Sequence, residues 1–344
     1  MLMTEPESHK GYLAIRNSVA LEDETDMRCL LIRGREAFKL LDHICPCNVF
    51  LQNGEMKHTL LLDDNAVPFA DVYVCRNRED AYLLGYWLKS VDLIDWIKQN
   101  QGSSPDYSVI DLTKSDCILT LNGPYAWELC AKAIGPEILG MPYLSMMSLN
   151  SGTIFRAGVT GEYGYHLMVP KEQKNDWIEN LINTGISFDL AIADRRARDQ
   201  SSLENFFFDL DREGQYQLTP PELQLQWRLS RQKSEYPGSR AMQNLREKGW
   251  DRRLTCFVTK NSASVNDEIF FENESVGQVL SIGYSPVRKE FVGKALIRRP
   301  FWHAGLKCFM VNDQELETIS APAIDNRSIH VNPNIHSYFT RKEN

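Results

Sequence analysis

The 344-residue sequence contains no apolar run long enough to span a bilayer and no apolar signal segment at its start. These absences argue against a membrane partner and predict a cytoplasmic protein. Positive charge is not in excess either. A net charge of -8 gives no electrostatic reason to expect nucleic acid or an anionic membrane as partner. The one basic run, Arg195-Arg196-Ala197-Arg198, lies beside Asp194 and Asp199 and reads as a solvated or internally paired face. C-x-x-C, zinc-type cysteine pairs, H-E-x-x-H, a dinucleotide fingerprint, a Ser-His-Asp elbow and G-K-[ST] are all missing. No metal site is predicted, and the glycines at 158–164 do not make a phosphate loop. Solenoid repeats and low-complexity linkers are absent as well.

What is present is ordinary globular material. With 43% hydrophobic and 24% charged residues, the chain can bury a core as two or three domains or as one large multi-lobed unit. The 8 cysteines are scattered through hydrophobic contexts and read mostly as reduced core thiols. Cys45-Pro46-Cys47 could bind metal or be redox active, but two packed thiols is the preferred reading. The polar start, Met1 to Lys10, is expected to fray.

Periodicity then divides the chain. Leu30–Arg33 reads as a strand entering a turn at Gly34, and Arg35–Ile44 as a helix with Ala37, Leu40, Leu41 and Ile44 on one face. Thr59–Asp63, Asp71–Cys75 and Ala81–Gly85 read as strands, and Asp92–Gln99 as a helix. The pattern recurs with strand Cys117–Leu121, the turn Asn122-Gly123-Pro124 and a helix from Ala126 to Ala133. Two such passes predict split βαβ, ferredoxin-like modules. Beyond about residue 250 the signal turns to short strands: Arg253–Val258, Glu268–Glu272, Ser275–Ile282, Lys289–Arg298 and Leu306–Val311. The expected division is an N-terminal segment (1–27), a ligand-binding body (28–248) and a C-terminal β domain (249–344), barrel-like or jelly-roll-like.

The stretch from Arg156 to His166 resembles the signature R-T-G-Y-T-G-E-x-G-x-E of the glycine-cleavage T-protein (aminomethyltransferase) family. Arg156, Gly158, Thr160, Gly161, Glu162 and Gly164 match. Val159 stands where the family has tyrosine, and His166 where it has the closing glutamate. Further landmarks follow the family order from about residue 28 to about residue 315. Gly34–Ala37 with its leucine-rich helix resembles G-x-D-A-x-x-F-L, and Asn122-Gly123-Pro124 resembles the Q-G-P turn. Thr219–Trp227 and Glu235–Gly238 resemble T-P-x-E-A-G-L-x-W and F-x-G. Val276-Gly277 with Gly283–Pro286 resembles V-G-x-V-T-S-G-x-x-S-P. The resemblance implies an α+β T-protein-like body of interleaved ferredoxin-like modules with a C-terminal β domain.

By default the resemblance also implies one-carbon chemistry: a methyl or aminomethyl group moving between a small molecule and tetrahydrofolate. Site residues carry over by position. Asn48 replaces the family aspartate that faces the one-carbon nitrogen, and asparagine cannot take a proton. His166 replaces the pterin-binding glutamate, so a two-acceptor clamp becomes one imidazole acceptor. His166 or His58 could act as acid or base, or His166 could simply pack against the sheet. Arg156, Val159, Glu162, Arg198 and Tyr284 fall on the cofactor side, with Arg198 assigned either to a carboxylate or to bracing by Asp199 or Asp209. Phe206-Phe207-Phe208 reads as core, with a pocket wall as the other option. A demethylase suits these changes better than glycine cleavage does. The first alternative is a folate-independent enzyme in a specialised biosynthetic step. The second is a non-catalytic folate-binding or assembly factor, like the iron–sulfur-repair branch of the family. Lys233–Gly238 lacks the cysteine of that branch's K-G-C-Y-x-G-Q-E loop. A monomer or small homo-oligomer is expected.

Overall fold

The computed structural model of the protein describes residues 6–24, 27–86, 90–102 and 106–341. Residues 1–5 of the polar start lie outside the described residues. From Pro6 the chain is helical: α1 (Pro6–Asn17) leads into β1 (Ala20–Glu24). Residues 6–24, which the sequence sets apart from the body, are therefore built into it.

The first module runs β2 (Met27–Arg33), α2 (Ala37–Ile44), β3 (Met56–Leu62), β4 (Pro68–Asn77), β5 (Asp80–Tyr86), α3 (Ser90–Asn100) and β6 (Ser108–Asp111). Its sheet order is β3-β4-β5-β2-β6, which is a split βαβ pair with β3 added at one edge. Helix α2 forms because Ala37, Leu40, Leu41 and Ile44 recur at helical spacing, and all four are buried. It ends at Cys45, which takes an extended conformation ahead of Pro46. Alternation sorts the strand residues. Leu30, Ile32, Val72, Val74 and Leu83 pack under α2 and α3, whereas Cys29, Tyr73, Cys75 and Leu84 face the other way.

The second module runs β7 (Asp116–Asn122), α4 (Ala126–Ala133), β8 (Ser145–Leu149), β9 (Gly152–Arg156), β10 (Gly164–Pro170), α5 (Lys174–Gly185) and β11 (Ala191–Ile192). Its order is β11-β1-β7-β10-β9-β8. The place of the fourth ferredoxin-like strand is thus taken by β1, which pairs antiparallel with β7 in the register Glu22↔Thr120. Leu119, Leu121, Tyr165, Leu167 and Val169 pack under the helices, and Ile118, Phe155 and Met168 point away from them. The two outward faces meet in one apolar layer of Met27, Cys29, Tyr73, Leu84, Ile118, Phe155 and Met168. Both sheets are therefore covered on both faces, with helices outside and the inter-sheet layer at the centre.

Helix α6 (Arg195–Glu204) lies against α1 and is capped by Asp194, whose carboxylate accepts from Ala197 N at 2.9 Å. After α7 (Ser239–Lys248), the strands β12 (Arg252–Thr259), β13 (Glu268–Phe271), β14 (Glu274–Ser285), β15 (Glu290–Arg298), β16 (Phe309–Val311) and β17 (Gln314–Ile319) close into a barrel. Phe257, Ile269, Val279, Ile297 and Phe309 fill it. Leu254, Leu280 and Leu296 on its outside join Leu60, Leu62 and Phe208 in a separate cluster that seats the barrel on the first module. Among the described residues no helix is long and apolar enough to cross a membrane.

Candidate active site

Sheet register sets the polar end of the inter-sheet layer. The pairings Phe155↔His166, His166↔Thr120 and Thr120↔Glu22 form one row across four strands, all on the face that meets the first module. Glu24 lies on the same face one pleat further along β1. Helix α6 delivers Arg198 into this row, 2% exposed, where it pairs with Glu22 at 3.1 Å and closely with Glu24. One guanidinium faces two buried carboxylates, which works against ionising both. Burial, with repulsion from Glu24, raises Glu22 to about 8 against the pull of Arg198. Glu22 Oε2 has no hydrogen-bond partner among the described residues. Beside this group, His166 is 2% exposed, and its Nε2 lies 3.4 Å from Tyr86 Oη. Burial and the nearby Arg198 depress its pKa to about 3. His166 is therefore neutral at physiological pH, with Nδ1 buried and without a partner among the described residues.

A second constellation lies on the facing sheet. His58 of β3 pairs in register with Tyr73 of β4, and their rings stack with centroids 4.1 Å apart. His58 Nε2 is 2.6 Å from Asp71 Oδ1, and Arg228 Nη1 donates to that same oxygen at 2.6 Å. Arg228 and His58 hold Asp71 at about 2 despite its burial, so it is ionised and can only accept. His58 Nε2 therefore carries the hydrogen, leaving Nδ1 as the acceptor. Burial holds the His58 pKa below its ordinary value. Tyr73 Oη and Arg228 Nε are buried without hydrogen-bond partners among the described residues. The exposed Trp227 ring stands 5.2 Å from the Arg228 guanidinium carbon.

A cavity of about 20 Å³ lies between the two constellations, lined by Asp71, Tyr86, Val159, Arg198 and Phe208 among others. Val159, Arg198, His166 and His58 thus belong to this region, at its wall or one contact away. Phe208 serves both as core and as wall.

The other expected site residues lie elsewhere. Asn48 is exposed and accepts from Phe50 N at 2.9 Å, closing a local turn. Arg156 points to the helix side of its sheet, where it donates to Met141 O and lies over Tyr163. Tyr284 is in the barrel, 5.4 Å from Phe291. Glu162 is a clasp: it accepts from Arg327 N, Ser328 N and Ser328 Oγ and pairs with Arg16 at 3.3 Å. The glycines of the signature serve the same packing. Gly161 sits at φ +80° against Asn205, and a Cβ on Gly164 would stand 2.6 Å from Ala157 O. Arg198, assigned to a carboxylate or to bracing by Asp199 or Asp209, is braced by Glu22 and Glu24, with Asp199 more distant at 3.7 Å. Asp209 pairs with Arg212 instead. Cys45 and Cys47 are buried thiols, and burial pushes both pKa values up. The described residues include no group of three or more His, Cys, Asp or Glu placed to hold a metal ion.

Glu22, Glu24, Asp71, Tyr73, Tyr86 and Arg228 were not expected from the sequence. One signal was available. Asp71 alternates with Tyr73 and Cys75 in a strand buried on both faces, and a carboxylate there needs a partner.

The residues present do not fit a pterin held by the family's carboxylate clamp. A neutral imidazole at 166 offers at most one acceptor, and Arg198 is engaged by two carboxylates.

Two ferredoxin-like modules packed face to face, with a closed six-stranded C-terminal barrel, define the T-protein fold. The glycine cleavage system aminomethyltransferase T from Bartonella henselae superposes with a TM-score of 0.83 at 20% identity, covering 92% of this chain and 89% of that one. The GCVT N-terminal domain profile matches residues 4–233, and the chain belongs to that family. It is 25% identical over 303 residues to the aminomethyltransferase of Halothermothrix orenii, covering 85% of this chain and 83% of that protein. It is 26% identical over 318 residues to that of Thermosynechococcus vestitus, covering 90% and 85%. These relatives support a transferase of the one-carbon class.

Proposed function

We propose that this chain moves a methyl group from a small-molecule donor to the thiol or amine of a second small molecule, with His58, oriented by Asp71, taking the acceptor's proton and passing it to the leaving group, and no pterin held by the family clamp. One observation carries this reading: His58 Nε2 lies 2.6 Å from an ionised Asp71 that Arg228 fixes from the other side. A carboxylate-oriented imidazole with its second nitrogen available is the usual form of a general base. His58, neutral near pH 7, serves as an acceptor first and returns the proton afterwards. His166, near 3, cannot be a proton donor at that pH and acts only as a polar wall.

The test is incubation of the purified chain with a panel of S-, N- and O-methyl small molecules, each together with a small thiol or amine acceptor, followed by mass spectrometry for the methyl group leaving the donor and appearing on the acceptor. His58→Gln is expected to lower turnover about 10²- to 10⁴-fold with the circular dichroism spectrum unchanged. Undiminished turnover in that variant would remove His58 from the mechanism.

A second reading, tetrahydrofolate bound in a shifted position, is favoured by Glu22. Its carboxyl lies in the same row as His166, beyond Thr120, and has an oxygen without a partner. Folate binding that disappears in Glu22→Ala would support it.

A further inference from the structure

We propose that the site around Asp71 receives a substrate through a neutral carbonyl oxygen, held by Tyr73 Oη and Arg228 Nε beside His58. This rests on the reading of His58 as the proton-moving group and names the class of molecule it acts on. The starting point is a pair of orphans. Tyr73 is 1% exposed and Arg228 4%, yet Tyr73 Oη and Arg228 Nε have no hydrogen-bond partner among the described residues. Buried donors are nearly always paired in folded proteins, and an unpaired one marks strain or a place where a partner arrives. Here two of them fall within one small cluster. The Tyr73 ring is stacked on His58, and His58 shares Asp71 Oδ1 with Arg228.

Arg228 Nε can only donate and Tyr73 Oη can donate, so one arriving acceptor satisfies both. Charge narrows the choice further. Arg228 and the ionised Asp71 cancel, and His58 is neutral, so the cluster carries no net charge. A carboxylate would place a second anion on a guanidinium that already serves one. A carbonyl oxygen brings no net charge and takes both donors through its two lone pairs. Donors aimed at a carbonyl also stabilise negative charge that develops on its oxygen as a proton leaves for an adjacent base. Arg228 is only partly used by Asp71: its bond to the carboxylate runs through Nη1, and Nε is the atom left over. Arg198, which the sequence assigned either to a carboxylate or to bracing, is occupied by Glu22 and Glu24, so recognition shifts to Arg228.

Acetamide and acetate, titrated separately at constant ionic strength, test this directly. The readout is the indole N–H resonance of Trp227, which stands over the Arg228 guanidinium and is assigned by its loss in Trp227→Phe. The expected result is a saturable shift with acetamide and none with acetate. Tyr73→Phe is the informative variant, because it keeps the stack on His58 and removes only the hydroxyl. It should leave thermal stability unchanged or slightly raised, while weakening acetamide about three- to tenfold. A merely structural Tyr73 hydroxyl would show the opposite, with lower stability and unchanged binding. Saturation by acetate but not acetamide, by neither, or equal acetamide affinity in Tyr73→Phe would each overturn the proposal. His58→Gln separates it from the functional reading: acetamide binding should persist within about twofold while methyl-donor turnover falls. Turnover that depends on His58 with no acetamide response leaves the functional reading standing and sinks this one. The converse pattern does the reverse.

Discussion

Replacing Arg16 by Ala is expected to lower the stability of the folded chain by about 3–5 kcal/mol, the range for breaking a buried ion pair from one side. Arg16 is 4% exposed and donates to Thr160 O, Glu162, Asn326, Ser201 O and Glu204. These partners come from the signature loop, α6 and the segment that follows the barrel. Glu204 also accepts from Tyr12 Oη at 2.7 Å, and Glu162 holds the backbone N–H groups of Arg327 and Ser328. Removing the guanidinium leaves two carboxylates buried without their cation, and three segments lose a common tie. The check is urea unfolding followed by circular dichroism, comparing midpoints at equal slope. A loss below about 1 kcal/mol would mean that the signature glutamate does not work as a clasp.

The pH dependence of stability should turn on Glu22 and be removed by Glu22→Gln. The native Glu22 pKa is raised from 4.5 to about 8, so the folded state binds a proton that the unfolded chain releases over that interval. Its contribution is complete below pH 4.5 and is lost as pH rises through 8. His166 works in the other direction. Its native pKa is lowered from 6.5 to about 3, so its contribution is complete above pH 6.5 and is lost as pH falls toward 3. Between pH 4.5 and 6.5 the two slopes oppose each other, and above 6.5 Glu22 acts alone of the pair. Gln mimics the protonated carboxyl, so the variant should match the wild type near pH 5 and gain on it by roughly 2–4 kcal/mol by pH 8. Melting temperatures of both proteins from pH 5 to 9 decide the matter. Parallel curves would show that Glu22 is ionised in the folded chain.

The local elements were legible and the long-range partners were not. Helix α2 announced itself by Ala37, Leu40, Leu41 and Ile44, and the two split βαβ passes and the late strands followed from period and turn residues. The closing strand of the second module was invisible as such. Residues 20–24 fall inside what the sequence sets apart as an N-terminal segment, and Glu22 pairs with Thr120, about a hundred residues away. The acidic residues are buried there because a buried arginine comes to meet them. The site divides the same way. Resemblance brought His166, Val159 and Arg198 to the inter-sheet region, and His58 close to it. The partners that give them their chemistry are 174 residues off for Arg198 with Glu24 and 157 for Arg228 with Asp71, beyond any local pattern. Glu162 matches the signature, and in the structure it ties the signature loop to Arg16 and to the segment after the barrel.

The most direct test of the central claim is calorimetric titration of the purified chain with tetrahydrofolate, carried to millimolar ligand. With a neutral imidazole, His166, in place of the clamp carboxylate and Arg198 engaged by Glu22 and Glu24, no saturable heat is expected. Saturable binding at one site per chain would contradict the account, and would return the protein to the folate-carrying chemistry of its family.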